Sequence, residues 1–331
     1  METISRLIIL GITATFLASC SSKQILKEEE GAFEDIRQEY EKVVVVKEAK
    51  PAPKPKKKAV KKKASKKKEA AKPKKVAKPK KKLPSLEDAE GFDGRRPIED
   101  PFRAGEFVTL SVKYFNMRAG DATFKVEPFK EVNGKKSYHF SATVKSNKRF
   151  AIFYKVENRA DTFMDFENMI PHTLSLDNNE SSRLVESKTF FDWTKNQATL
   201  WEKKVRKNKD PKKKTLQWKI DPYTQNIISA IFYIRTFKLT PGKKFSFRIS
   251  DDGKNYVFNG EVLRREVLDT DLGKIKTVVV KPEFQHDGSF KPSGENLLWL
   301  TDDDRKLMVR LESKVKIGTL IGELKAWNKA E

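Results

Sequence analysis

From residue 101 onward the chain alternates apolar and polar residues with period two, and this limits its fold more than any other feature. Val108, Leu110, Val112 and Tyr114 alternate with Thr109, Ser111 and Lys113. Ala122, Phe124 and Val126 follow after Arg118-Ala119-Gly120. Tyr138, Phe140, Ala142 and Val144 follow Asn133-Gly134, a hairpin signal. Later runs of the same kind include Leu184 to Asp192, Gln197 to Lys204, Thr215 to Ile220, Tyr256 to Val262 and Lys274 to Val280. Successive side chains of a strand point to opposite faces, so each run predicts a strand with one face on a core.

One segment departs from that period. Between Asp221-Pro222 and Pro241-Gly242, the residues Ile227, Ile228, Ile231 and Ile234 recur at helical spacing, and Asp221 or Thr224 is placed to cap them. A lone apolar helix, about 224–238, must bury several faces. The reading is therefore mainly β: an antiparallel, strongly curved sheet or incomplete barrel wrapped around one apolar helix and preceded by a disordered tether. Ile228, Ile231 and Phe232 are expected to line the core or a cavity. Arg235 closes the helix and needs a carboxylate if buried, with Asp302 or Asp303 as its expected partner.

Cys20 is the one cysteine of the chain. A disulfide, a thiolate nucleophile in the body and a cysteine zinc site are thereby excluded. Arg6, the apolar run Leu7 to Leu17 and the sequence Leu17-Ala18-Ser19-Cys20 resemble a bacterial lipoprotein signal peptide, with cleavage between Ser19 and Cys20. The run is shorter than the about 20 residues that span a bilayer. The resemblance implies lipidation of Cys20, and Ser21 after it implies the outer membrane, with the anchored protein facing the periplasm of a Gram-negative bacterium.

Residues 20–49 then form an acidic segment in which Phe33, Ile36, Tyr40 and Val43 or Val44 fall at helical spacing. A short amphipathic helix from about Glu28 to Val45 would dock on the body or a partner, although the β-branched run Val43 to Val46 favours a marginal helix that frays. The composition shifts again over 50–91. From Lys50 to Lys82 there are 18 lysines, 5 prolines and one acid, giving +17 of the chain's formal +23. Such a stretch buries nothing and repels itself, so it is expected to be extended, reaching about 100 Å at roughly 3.1 Å per residue. Lys56, Lys57, Lys58, Lys61, Lys62, Lys63, Lys66, Lys67 and Lys68 are its candidate contacts to anionic lipid headgroups, lipopolysaccharide or peptidoglycan. An exported chain gives no occasion for nucleic-acid binding. The remaining residues, 92–331, form the β-rich domain.

Within it, Gly105-Glu106, Ala119-Gly120, the helix Ser229-Ala230-Ile231-Phe232-Tyr233-Ile234-Arg235, Pro241-Gly242, the block Leu298-Trp299-Leu300-Thr301-Asp302-Asp303, Val309 and Ile317-Gly318 stand in an order and spacing that resemble the exported family labelled domain of unknown function 3108, over about Pro101 to Trp327. Lys306-Leu307-Met308-Val309 departs from it, because relatives commonly carry proline before the valine. The resemblance implies an exported β-rich fold and no reaction.

Chemistry is sparse in the sequence. His139, His172 and His286 lack metal-ligand spacing, and neither a nucleophile elbow nor a phosphate loop is present. Asp302-Asp303-Asp304 runs into Arg305-Lys306 and reads as a solvated turn rather than a calcium loop. No cofactor and no metal are expected. The basic cluster from Lys203 to Lys214 reads as an exposed hairpin tip. These features favour a non-enzymatic, lipid-anchored envelope protein that binds another envelope protein or an apolar ligand. A tether to cell wall or anionic polymers through the lysine tract is the second reading, a cell-wall-modifying enzyme the third, and a transmembrane barrel the fourth.

Overall fold

The computed structural model describes residues 31–49 and 92–330, apart from 94–95, 98, 116, 287–288, 291–295 and 315–317. The signal peptide, Cys20 and the lysine tract with its nine candidate contacts lie outside the described residues.

After a short strand β1 (Val46–Glu48), the body opens with β2 (Phe107–Tyr114), β3 (Met117–Val132), β4 (Lys135–Ser146), β5 (Val156–Asp165), β6 (Pro171–Glu180), β7 (Arg183–Asp192), β8 (Gln197–Arg206) and β9 (Lys209–Lys219). It resumes with β10 (Lys244–Asp251), β11 (Lys254–Thr270), β12 (Gly273–His286), β13 (Asn296–Thr301), β14 (Met308–Lys314) and β15 (Thr319–Asn328). Both runs are antiparallel meanders. They are joined where β15 pairs with β2, with Leu324 opposite Leu110, so the order across the sheet is β9-β8-β7-β6-β5-β4-β3-β2-β15-β14-β13-β12-β11-β10. The expected alternation is visible in β2, where Val108, Leu110 and Val112 are buried.

The sheet curves without closing into a barrel. Bulges between Glu127 and Lys130 and between Val262 and Arg264 bend the two longest strands, β3 and β11. The two edge strands nevertheless approach each other: Trp218 Nε1 donates to Ser250 Oγ at 2.7 Å, and Asn255 Nδ2 donates to the Lys219 carbonyl at 2.9 Å. The link between those edges is the helix α3 (Ile227–Tyr233), the third after α1 (Glu34–Glu41) and the single-turn α2 (Lys148–Ala151).

Helix α3 is shorter than the predicted span, and a different residue caps it. Gln225 is held in a bridge beside Ile249, donating to the Arg248 carbonyl and accepting from Ser250 N, so its backbone is committed to the sheet. Asn226 is therefore the cap, in place of Asp221 or Thr224. Its side chain accepts from Ile228 N and Ser229 N, and Ser229 Oγ accepts from Asn226 N, which makes a reciprocal capping box. A 3₁₀ turn, Ile234–Thr236, ends the helix.

The acidic segment is part of the body. Phe33, Ile36, Tyr40 and Val44 face one side of α1 and are buried against Leu184 and Trp201 of β7 and β8. Arg37 forks onto Glu186, with Nε to Oε1 at 2.9 Å and Nη2 to Oε2 at 2.6 Å. Asp35 and Glu39 meet Lys203 and Lys213, so the basic hairpin tip finds its anions in this chain's own helix. The β-branched run that lowers helix propensity leaves the helix, and its last residue, Val46, opens β1 opposite Val132. Each buried apolar side chain contributes roughly 1.5–3 kcal/mol, which offsets the weak intrinsic helicity.

That docking revises the expected stalk. Residue 48 is paired to β3, and Arg96 is bonded to Tyr138, so the described residues on either side of the lysine-rich stretch lie on the body. The stretch therefore does not set the distance between Cys20 and the body. The eleven residues from Cys20 to Glu30 do, and at about 3.5 Å each they reach less than about 40 Å.

Candidate ligand cavity

Helix α3 fills only part of the space inside the curved sheet. It packs against β4, β5 and β10, where Phe232 stacks on Phe140 with ring centroids 4.1 Å apart and planes 12° off parallel. Ile227, Ile231 and Ile234, spaced four and three residues apart, face a space walled by β2, β3 and β11 to β15 together with Val144 of β4 and Ile249 of β10. That space is a cavity of about 120 Å³. Its walls are aliphatic and aromatic, and Asn296 is their one uncharged polar residue. That Asn296 side chain is engaged, accepting from Ser313 Oγ at 2.7 Å. Phe124, Ile231, Leu298 and Met308 in the lining are only partly buried, so the cavity meets solvent.

The three residues expected at a core or cavity separate. Ile231 faces the cavity, whereas Ile228 is buried in the core and Phe232 is stacked against β4. Ile227 and Ile234 are the lining residues that complete the Ile231 stripe.

A buried ionic knot fixes the end of α3. Arg235 Nη1 lies 2.6 Å from Glu106 Oε1, its Nε donates to the Arg305 carbonyl at 2.8 Å, and its Nη2 donates to the Pro101 carbonyl at 2.6 Å. Arg305 shares both partners, with Nη2 on Glu106 and Nε on the Pro101 carbonyl. Burial pulls the Arg235 guanidinium below its ordinary value, and the Glu106 charge acts against that. Asp302 and Asp303 are not its partners. Asp302 pairs with Arg265 in the open, and Asp303 accepts from Thr301 Oγ1, Arg305 N and Lys306 N to hold the turn. Asp302, Asp303 and Asp304 are exposed, whereas Arg305, expected in the same solvated turn, is buried on Glu106.

The histidines occupy strand positions. His139 Nε2 is 2.7 Å from Asp161 Oδ1, and its ring packs against Phe163. His172 stands 3.4 Å from Asp165 Oδ2. Ser141, beside His139 on β4, donates to Glu127 and so is not aligned with the imidazole as a nucleophile. The side chain of His286 lies outside the described residues.

A sequence model of the family described as protein of unknown function (DUF3108) matches residues 109–325. No curated protein matches the chain. Among solved structures, the chain is similar to the β-barrel-like protein of the domain of unknown function DUF1849 from Brucella abortus, at 11% identity, with 67% of this chain and 96% of that chain covered and a TM-score of 0.44. It is also similar to a candidate lipoprotein from Parabacteroides distasonis, at 10% identity, 68% and 96% coverage and a TM-score of 0.31. A candidate exported protein with a YmcC-like fold from Bacteroides fragilis is similar at 10% identity, 70% and 98% coverage and a TM-score of 0.31.

Proposed function

The chain belongs to the DUF3108 family, and we propose that it is a lipid-anchored, non-enzymatic protein of the cell envelope whose β-rich body shelters an apolar ligand. The observation that carries this reading is the cavity. An enclosed apolar cavity of about 150 Å³ takes up benzene-sized guests, and this one, at about 120 Å³, is of similar size and open to entry from solvent. Filling it with a short stretch of acyl chain would restore dispersion contacts and remove apolar surface from water. The Cys20 signal supports an anchor, and Ser21 supports the outer membrane with the body facing the periplasm.

The tether reading draws less support, because the described residues on either side of the lysine tract lie on the body, so the tract does not separate it from the anchor. The tract's lysines still suit contact with anionic polymers of the envelope.

Organic extracts of residues 20–331 carrying Cys20→Ser, which lack both the acyl anchor and the apolar run Leu7 to Leu17, are expected to contain a lipid, and a solvatochromic fatty acid should bind without vesicles. Leu298→Trp, which fills the cavity, should abolish both. Failure of wild-type cavity residues to bind lipid or probe would leave a protein-binding scaffold in place of a carrier.

A further inference from the structure

One rim of the sheet carries apolar side chains that the fold leaves in water. Phe153 is 83% exposed, Met117 63%, Ile152 57% and Phe115 56%. They belong together: Asn147, which caps α2, donates from its backbone to the Ala119 carbonyl at 2.9 Å and from its side chain to Arg118 O, fastening the segment before Ile152 and Phe153 to the strand that begins at Met117. Phe115 also holds φ +49, a left-handed backbone that is costly for a bulky side chain and is not repaid here by burial. Contiguous exposed apolar groups of this kind mark interaction surfaces.

The geometry points to this rim as a surface that inserts into an anionic lipid bilayer. Cations are interleaved with the apolar side chains: Lys148 and Arg149 are exposed there, while the nearby acids are already answered, Asp121 by Arg118 and Lys325 and Glu157 by Lys145 and Lys155. Aromatic and aliphatic groups ringed by lysine and arginine suit the headgroup region, where the apolar tips leave water and the cations meet phosphates.

The course of the N-terminal segment agrees. Asp35 sits beside Lys203, near the β8–β9 turn on this rim, whereas Val46 has reached Val132 at the far end of β3. The chain therefore enters α1 from the rim side. Residues Cys20–Glu30 join it there and are short enough to hold the rim at a bilayer surface. The cavity also extends to this end: Leu320, in its lining, pairs with Tyr114 next to Phe115. The inference concerns the surface alone and does not require that the cavity carry lipid.

The chain's single cysteine makes a direct test. In residues 20–331 carrying Cys20→Ser, without the apolar run Leu7 to Leu17, an environment-sensitive fluorophore is attached at Phe153→Cys or, on the opposite rim, at Leu272→Cys. With phosphatidylcholine–phosphatidylglycerol vesicles at 0.5 M salt, where lysine-tract attraction is screened, emission at position 153 should rise and shift to the blue, with no change at 272. Adding Met117→Ser and Ile152→Ser should weaken vesicle partitioning about tenfold or more. No change at 153, or equal changes at both positions, overturns the proposal. The same vesicle assay run on the cavity-filled Leu298→Trp variant should still report insertion, which separates this result from the fate of the carrier reading.

Discussion

Arg235 and Glu106 are 129 residues apart in sequence and meet at 2.6 Å in the buried floor of the sheet, with Arg305 on the other carboxylate oxygen. One acid thus bridges two guanidiniums that hold the end of α3, the 101–106 segment and the 301–307 turn in fixed relation.

Glu106→Gln should therefore cost about 3–5 kcal/mol of unfolding free energy, because it leaves two buried cations without their countercharge. Asp303→Asn, which weakens a turn only, should cost about 1 kcal/mol. Urea denaturation of the two variants measures the difference, and the reverse ranking would return the ion pair to Asp303.

The docking of α1 rests on a few apolar contacts, so Ile36→Ala should release it before the body unfolds. Amide exchange at 34–41 and at Val46–Glu48 should accelerate by at least about tenfold, while β4 stays protected. Unchanged exchange in the N-terminal segment would show that Arg37–Glu186 and the lysine pairs hold it alone.

Gly120 of β3 lies opposite Ser146 of β4, and a Cβ there would lie 2.2 Å from the Lys145 carbonyl oxygen and 2.8 Å from Ser146 Cα. Those atoms are backbone and can yield only by moving the strand. Gly120→Ala should lower stability by about 2–3 kcal/mol in thermal or urea melts. Because β3 also carries the Phe115–Met117 hairpin, the same variant should loosen that rim.

Asp165 gives the acid side of the stability curve. Burial pushes its carboxyl up, but contacts from His172, the Asn168 backbone and Lys135 outweigh this and bring it down to about 2 from 3.8. A carboxylate with a depressed folded value stabilises the protein above its unfolded value and loses that contribution as pH falls through the folded one. Asp165→Asn should therefore be less stable than wild type by about 2 kcal/mol at pH 6, with the gap closing between about pH 4 and pH 2. Urea midpoints at these pH values test it.

Much of the fold is legible in local pattern. Side chains two apart share a strand face, so the buried stripes Val108, Leu110, Val112 and Tyr138, Phe140, Ala142 could be read directly. The apolar turn of α3 was equally visible, because Ile227, Ile231 and Ile234 repeat at helical spacing. Its start was not, since the backbone of Gln225 is claimed by Ile249, a partner chosen by the sheet. The candidate site was legible only in part. Ile228, Ile231 and Phe232 are expected in the core or a cavity; Ile228 and Phe232 lie in the core and Ile231 lines the cavity, and no local signal says which face of an apolar helix meets a void.

By itself, the sequence determined the strand and helix periods, the basic tract and the family, since each is a matter of residue type and near-neighbour spacing. Tertiary structure alone decided that β15 pairs with β2, that Glu106 answers Arg235, that α1 lies on β7 and β8, and that a cavity remains beside α3. These are contacts between residues about 130 to 210 apart, and strand register and curvature bring them together. Composition and period leave register and curvature open.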